Sequence, residues 1–259
     1  MKKEYSRFKE SSLFEGIVSL RTLISVSEKN GSNDRRIKTV YYSSDRAEKE
    51  KKELSWLTHR ANELGFEIKL TEKEEIDEMA TGNTHGGIIA DCTERTLLPT
   101  EPTSIKDNGF YVMIEGIEDP YNFGYALRSL YAAGADGVIL GKRNWMTASG
   151  VVCRASAGAS ELLHVYSDES FEKAVEIFKN KGYKIVCADI EKSVPIYEAD
   201  LSYPILLVIG GEKRGISKSI LEKADSIVRI EYGREFDASL SAASAATVVG
   251  FEVFRQKNY

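Results

Sequence analysis

The sequence predicts an α/β protein built in two parts, and three observations carry that expectation. Short apolar runs alternate with charged amphipathic stretches along most of the chain, the pattern of strands interleaved with helices. A strand, a glycine-bearing loop and a helix follow one another from Phe110 and again from Pro204, the unit from which parallel sheets are wound. Between Thr93 and Gly109, two prolines and a run of polar residues interrupt all periodicity. That stretch reads as a linker, 93–109, between a small α/β module over 1–92 and a larger domain over 110–259.

In the first module, Ile17, Leu20, Leu23 and Ile24 are spaced for a helix from Gly16 to Ser27, after a polar lead-in. Ile37–Tyr42 suits a strand, Arg46–Leu64 one long charged helix, Phe66–Leu70 a second strand, Glu72–Ala80 a short helix, and His85–Cys92 a returning strand. In the larger domain, Phe110–Glu115 is a strand, followed by a turn at Asp119-Pro120 and a helix running to Ala133 that projects Arg128 about one turn from its start. Asn122 and Gly124 lie in the approach to that helix, where both tolerate unusual backbone angles. Gly137–Gly141 is the next strand. The small-residue stretch RNWMTASGVVCRASAGASELL then suits a loop and helix in close contact with something. Phe171–Lys179 reads as a helix, Tyr183–Ala188 and Ser226–Ile230 as strands, and Ser241–Arg255 as a long final helix with small residues first. Small residues at a helix start admit either a ligand or a neighbouring helix.

The most informative stretch is Pro204–Ser217, PILLVIGGEKRGIS. Its continuous apolar run is that of a strand buried on both faces. Gly210-Gly211 end the strand, and Ser217 stands where it would cap a following SKSILEKA helix. The loop thus joins a strand's carboxyl end to a helix, the place where open α/β sheets bind ligands. Two readings stand: a ligand loop in which Glu212 and Arg214 supply an acceptor and a donor, or a tight turn bearing solvated charges. Neither a P-loop nor GxGxxG fits these residues.

Composition narrows the class further. Hydrophobic content of 42% and charged content of 29% are those of a globular protein. No apolar run approaches the roughly 18 residues of a membrane helix, and the charged N-terminus has no signal-peptide core, so the expected setting is the cytoplasm, without a membrane partner. Cys92, Cys153 and Cys187 are scattered, as are His59, His85 and His164; buried reduced thiols and no metal site are expected. The net charge of -5 hides an asymmetry, because residues 1–60 hold 14 Lys and Arg against 9 Asp and Glu. That basic front is either an RNA-facing module or an ordinary mixed-charge helix surface.

Three stretches together resemble, in order and spacing, the signature motifs of the SpoU-type (TrmH-like) RNA 2'-O-ribose methyltransferases of the SPOUT superfamily. They are DPYNFGYALRSLYAAGADGVIL at 119–140, LLVIGGEKRGIS at 206–217 and IVRIEYGREFDASLSAASAA at 227–246. Residues 1–92 are similar to the ribosomal-protein-L30e-like substrate-binding domain of that family, with His85-Gly86-Gly87 at its last strand. The resemblance implies a C-terminal domain with a deep trefoil knot, a homodimer formed through that domain, S-adenosylmethionine as methyl donor, and RNA as substrate, ribosomal ahead of transfer RNA.

Residue by residue, it implies catalytic roles for Asn122, Arg128 and Glu212. It implies cofactor binding by Leu140, Gly141, Ile209, Gly210, Gly211, Ile230, Ser239 and Leu240. Arginine stays protonated, so Arg128 is read as holding a phosphate and polarising the ribose hydroxyl, with a proton-accepting role left open. Asn122 and Glu212 would anchor the loops and Arg128. Two departures stand out. The family's Ile-Pro-Met is here Ile230-Glu231-Tyr232, and its Ser-Leu-Asn is Ser239-Leu240-Ser241. Either the pocket has adjusted to these changes or its affinity for the cofactor is reduced.

Overall fold

The structure, a computed structural model, describes residues 12–28, 32–82, 85–117, 119–142 and 144–259. The polar lead-in lies outside the described residues up to position 11. The chain divides into two compact units: residues 1–96 with 145–162, and residues 97–144 with 163–259. Residues 145–162, which the sequence places inside the 110–259 domain, therefore group with the first unit.

The first unit is built on a four-stranded sheet in the order β1 (Leu13–Glu15), β4 (Ile88–Cys92), β2 (Ile37–Ser43), β3 (Glu67–Thr71), with β2 and β3 parallel and the other pairs antiparallel. The Gly16–Glu28 helix buries Leu20, Leu23 and Ile24 against it, as its apolar spacing requires. The expected single helix over 46–64 is two, Ser44–Lys49 and Lys51–Leu64, broken at Glu50 (φ -109°, ψ 50°). Across the break Arg46 grips both carboxylate oxygens of Glu53, at 2.7 and 3.1 Å, and the Tyr42 hydroxyl donates to Glu53 at 2.7 Å. That bond from Arg46 comes first among the causes that hold the Glu53 carboxyl below its usual range.

The 145–162 segment forms a 3-10 turn at Trp145–Ala148 and short helices at Ser149–Ala155 and Ala159–Leu162. A Cβ on Gly150 would sit 2.0 Å from the Leu13 carbonyl oxygen, so only glycine lets this helix meet β1. Arg154 pairs with Glu15. Deeper in, Arg35 and Glu161, 4% and 0% exposed, pair at 3.0 Å. Arg35 also donates to the Thr93 carbonyl at 2.8 Å and Ser149 Oγ at 3.2 Å. The surroundings of the small residues, unnamed by the sequence, are thus the elements of the first unit.

The second unit is a seven-stranded sheet, all of whose pairings are parallel, in the order β7 (His164–Asp168), β6 (Gly137–Gly141), β5 (Phe110–Glu115), β10 (Ile205–Gly210), β8 (Lys184–Ala188), β11 (Ser226–Arg229), β9 (Val194–Pro195). Strand β10 is central and fully buried along Ile205–Ile209, as its continuous apolar run predicts. From β5 the chain winds outward through β6 and β7, then crosses to build β8, β10 and β11 on the other side. The order reverses between β5 and β10, and such a switch point opens a crevice at the strands' carboxyl ends. Behind the sheet, Tyr111, Phe178 and Tyr183 pack ring to ring at 5.0–5.9 Å. Burial pushes the Tyr111 phenol up to about 12.

Three local expectations change. The helix after β5 begins at Pro120, with Asp119 as N-cap accepting from the Tyr121 and Asn122 amides at 2.8 and 2.9 Å. Asn122 and Gly124 are therefore helical rather than loop residues, and Arg128 lies more than two turns from the start. The helix after Ser217 is only Lys218–Leu221. The edge strands β7 and β9 were not expected. Both are short, and β9 is two residues long.

Candidate functional site

Register brings the carboxyl ends of three strands level: Gly210 lies opposite Glu115 of β5, and Ile209 opposite Ala188 of β8. Glu115 pins the loop that follows. Its carbonyl accepts from the Gly211 amide at 2.7 Å, and its carboxylate from the Ser217 amide at 3.0 Å. A Cβ on Gly211 would lie 1.8 Å from the Gly116 carbonyl oxygen, and one on Gly210 would lie 2.4 Å from the Gly215 carbonyl carbon. Main chain packs on main chain here, which accounts for both glycines without a ligand.

Glu212 reaches away from this turn, and its Oε1 accepts from the Ala242 amide at 3.0 Å in the first turn of the Ala242–Asn258 helix. Ser241 Oγ caps the same helix by accepting from the Ser244 amide at 3.1 Å. Two of the helix's orphan N–H groups are thereby satisfied, and a carboxylate sits at the positive end of its dipole. Glu212 thus ties the β10 loop to the last helix.

Between these elements lies a cleft of about 550 Å³, within the range of small-molecule sites. Ile209, Gly210, Gly211, Glu212, Ile230, Ser239 and Leu240 all line it, together with the ends of β8 and β11, the rings of Tyr232 and Phe236, and Ala242 and Ala245. Six of the eight residues expected to hold a cofactor therefore converge. Leu140 and Gly141 do not, because they end β6 on the far side of β5. Asn122 and Arg128 do not line the cleft either; Asn122 is half-buried, and Arg128 is exposed and makes no ion pair among the described residues. Ser241 stands beside the cleft and faces its own helix instead. The small residues of the last helix serve both readings left open above. Ala242 and Ala245 face the cleft, while Gly250 meets Leu130 and Thr247 Oγ1 bonds Ser129 at 2.7 Å.

Sequence reasoning missed Phe236 and the β8 end at 188–190. Phe236 sits in a polar loop without periodicity, and the β8 end joins the site only through strand order.

The first unit holds a second cleft, of about 640 Å³, whose lining sets Arg46, Lys49 and Lys73 against Asp45, Glu50 and Asp77 and includes His85, Gly86 and Gly87. His85 Nδ1 accepts from the Gly87 amide at 3.1 Å and its Nε2 lies 3.0 Å from Asp77, which fixes the ring. Arg46 donates to the Gly86 carbonyl at 2.8 Å.

Comparison with known proteins agrees with this architecture. A protein of Staphylococcus saprophyticus named as a TrmH family tRNA/rRNA methyltransferase is 36% identical over 148 residues, 57% of this chain and 59% of that protein. The 23S rRNA (guanosine-2'-O-)-methyltransferase RlmB of Shewanella oneidensis is 29% identical over 213 residues, 81% of this chain and 86% of that one. Among solved structures, the AdoMet-bound rRNA methyltransferase of Sinorhizobium meliloti superposes with a TM-score of 0.78 at 22% identity, covering 98% of this chain and 90% of that one. The SpoU methyltransferase AviRb of Streptomyces viridochromogenes, in complex with AdoMet, gives 0.74 at 21% identity, covering 94% and 89%. These two likenesses establish a shared fold. A family model described as RNA 2'-O ribose methyltransferase substrate binding matches residues 26–98. Since the model of the SpoU rRNA methylase family matches residues 109–251, more than half of the chain, this protein belongs to that family.

Proposed function

We propose that this protein transfers a methyl group from S-adenosylmethionine to a ribose 2'-hydroxyl of RNA, with ribosomal RNA the favoured substrate. The observation that carries the reading is the cleft at the carboxyl ends of β8, β10 and β11, where residues from the second and third sequence motifs meet. The lining fits the cofactor: Gly210 and Gly211 keep side chains out of the cleft, Ile209, Ile230 and Leu240 give it apolar walls, Ser239 adds a hydroxyl, and the volume suits a nucleoside with a short side chain. When bound, S-adenosylmethionine would supply an electrophilic methyl group to the ribose oxygen. The RNA family of relatives such as the Shewanella oneidensis protein, named for 23S rRNA, supports the substrate class.

The chain's own residues then have separate tasks. The exposed Arg128 guanidinium offers a planar fork suited to an RNA phosphate, holding the ribose so that its hydroxyl lies in line with the methyl group. Glu212 keeps the β10 loop and the last helix in register around the cleft. Asn122, in the first turn of the Arg128 helix, belongs to the same proposed centre. In the first unit, the proposed RNA contact is the cleft where Lys49, Lys73 and the main chain at Gly86 and Gly87 stand among the carboxylates of Asp45, Glu50 and Asp77. The trefoil knot and a homodimer through the second unit are part of the same reading. The dimer is supported by rings left exposed on the two mutually packed helices, among them Tyr125 at 49% and Phe251 at 44%.

Methyl transfer to hypomethylated ribosomal RNA tests the assignment. Arg128→Ala is expected to lose roughly 10²–10³-fold in rate, the scale for removing one charge-stabilising donor, while calorimetric affinity for S-adenosylmethionine stays at the wild-type value. Full activity in that variant would end Arg128's role.

A further inference from the structure

We infer that Tyr232 and Phe236 form an aromatic wall that stacks on the flat purine of the nucleoside ligand, and that the Tyr232 hydroxyl sets this wall in place. The inference rests on the S-adenosylmethionine reading above and assigns residues to it. Both rings line the cleft, yet Tyr232 remains 39% and Phe236 63% exposed. Their centroids are 6.1 Å apart with planes inclined at 54°. Two large rings held beside each other and open to a concave cleft are an uncovered apolar surface of the kind that marks a binding site. Toward the last helix the cleft offers only the methyl groups of Ala242 and Ala245, so no bulky side chain from there covers the rings.

The Tyr232 ring is also tethered. The Tyr232 hydroxyl accepts from the Leu240 amide at 3.0 Å, closing the loop from 232 to 240 with one bond. A tyrosine has two side-chain torsions, and tethering its far end removes most of that freedom before any ligand arrives. Arg234, Glu235 and Asp237, between the two anchor points, are exposed and keep the loop's outer side in water. With the ring planes inclined at 54°, a planar base stacks on one ring and meets the other at an angle, so both contribute contact. The tyrosine at the position of the family motif's methionine thus replaces a flexible thioether with a rigid aromatic face.

The test is calorimetric titration of the full chain with S-adenosylhomocysteine and with 5'-deoxy-5'-methylthioadenosine, which share the base and differ in the amino-acid end. Phe236→Leu keeps apolar bulk at a mostly exposed position, so the fold is not at stake, but it removes the aromatic face. It is expected to weaken both ligands by the same factor, roughly 5- to 100-fold, whereas Phe236→Tyr stays within about twofold of wild type. Tyr232→Phe keeps the ring and loses the tether, and is expected to weaken both by roughly 2- to 10-fold. Wild-type affinity in Phe236→Leu would overturn the wall, as would a loss confined to S-adenosylhomocysteine, which would place the ring against the amino-acid end. Unchanged binding in Tyr232→Phe would overturn the tether alone. If the wild-type protein binds neither ligand, the cofactor reading itself falls, and the wall with it.

Discussion

Ser241 shows how a motif can change a residue and keep its physics. Asparagine and serine are about equally good N-caps, and Ser241 caps the last helix through the Ser244 amide without lining the cleft. Its departure from the family's Ser-Leu-Asn therefore leaves the cleft wall untouched. Ser241→Asn should alter urea-denaturation stability by less than about 0.5 kcal/mol and leave S-adenosylmethionine affinity unchanged. Ser241→Ala should cost about 1 kcal/mol, the usual loss for a capping side chain. A tenfold change in affinity on Ser241→Asn would place the side chain in the cleft after all. The glycines of the β10 loop were legible as special positions, since Gly210-Gly211 break an apolar strand. Their reason was not legible, because the atoms they make room for belong to Gly116, in the turn after β5, and to Gly215, where the same loop folds back on itself.

At the scale of elements, the strands and helices that carry long periodic patterns were readable from sequence, and those fixed by partners were not. Strand β10 and the Gly16–Glu28 helix follow from their own apolar spacing. The break at Glu50 does not, since it accompanies an Arg46–Glu53 pair at 2.7 Å, two residues that a continuous helix would hold two turns, about 10 Å, apart. The 145–162 segment is the sharper case. Its small residues signalled a close neighbour, but the neighbour is the first unit, reached through a buried ion pair that only the tertiary fold brings together. Breaking such a pair leaves an uncompensated buried charge. Glu161→Ala should therefore destabilise the first unit by roughly 3–5 kcal/mol in chemical denaturation, with Arg35 stranded at 4% exposure. A loss below about 1 kcal/mol would mean that water or a rearranged Arg35 satisfies the site. Cys153, in the same segment, is pushed up to about 12 by burial first and the neighbouring Glu161 carboxylate second. It behaves as a packed thiol rather than a nucleophile.

At the scale of the whole molecule, one helix pair of the second unit leaves aromatic rings uncovered. The Pro120–Ala132 and Ala242–Asn258 helices pack on each other through Ser129, Leu130, Thr247 and Gly250. They also leave Tyr125, Tyr131, Phe251 and Phe254 between 37% and 49% exposed. Scattered single apolar residues need no explanation, but these rings, with Tyr121 at 39% a fifth on the same helix pair, are a surface suited to a protein partner. A second copy of the same pair is the simplest occupant, since a two-fold contact uses one patch twice. The same face carries a functional consequence. Arg128 lies on the Pro120–Ala132 helix and does not line the cleft of its own chain, so dimerisation through this helix offers a route by which one copy's Arg128 serves its partner's cleft. Light scattering should then report a dimer for the wild-type protein and a monomer for Phe251→Arg, which places a charge where the rings would meet. The monomeric variant should keep its affinity for S-adenosylmethionine, because Phe251 lies outside the cleft, and lose methyl transfer. A monomeric variant with full activity would show that each chain completes its own site, and a dimer surviving Phe251→Arg would move the interface elsewhere.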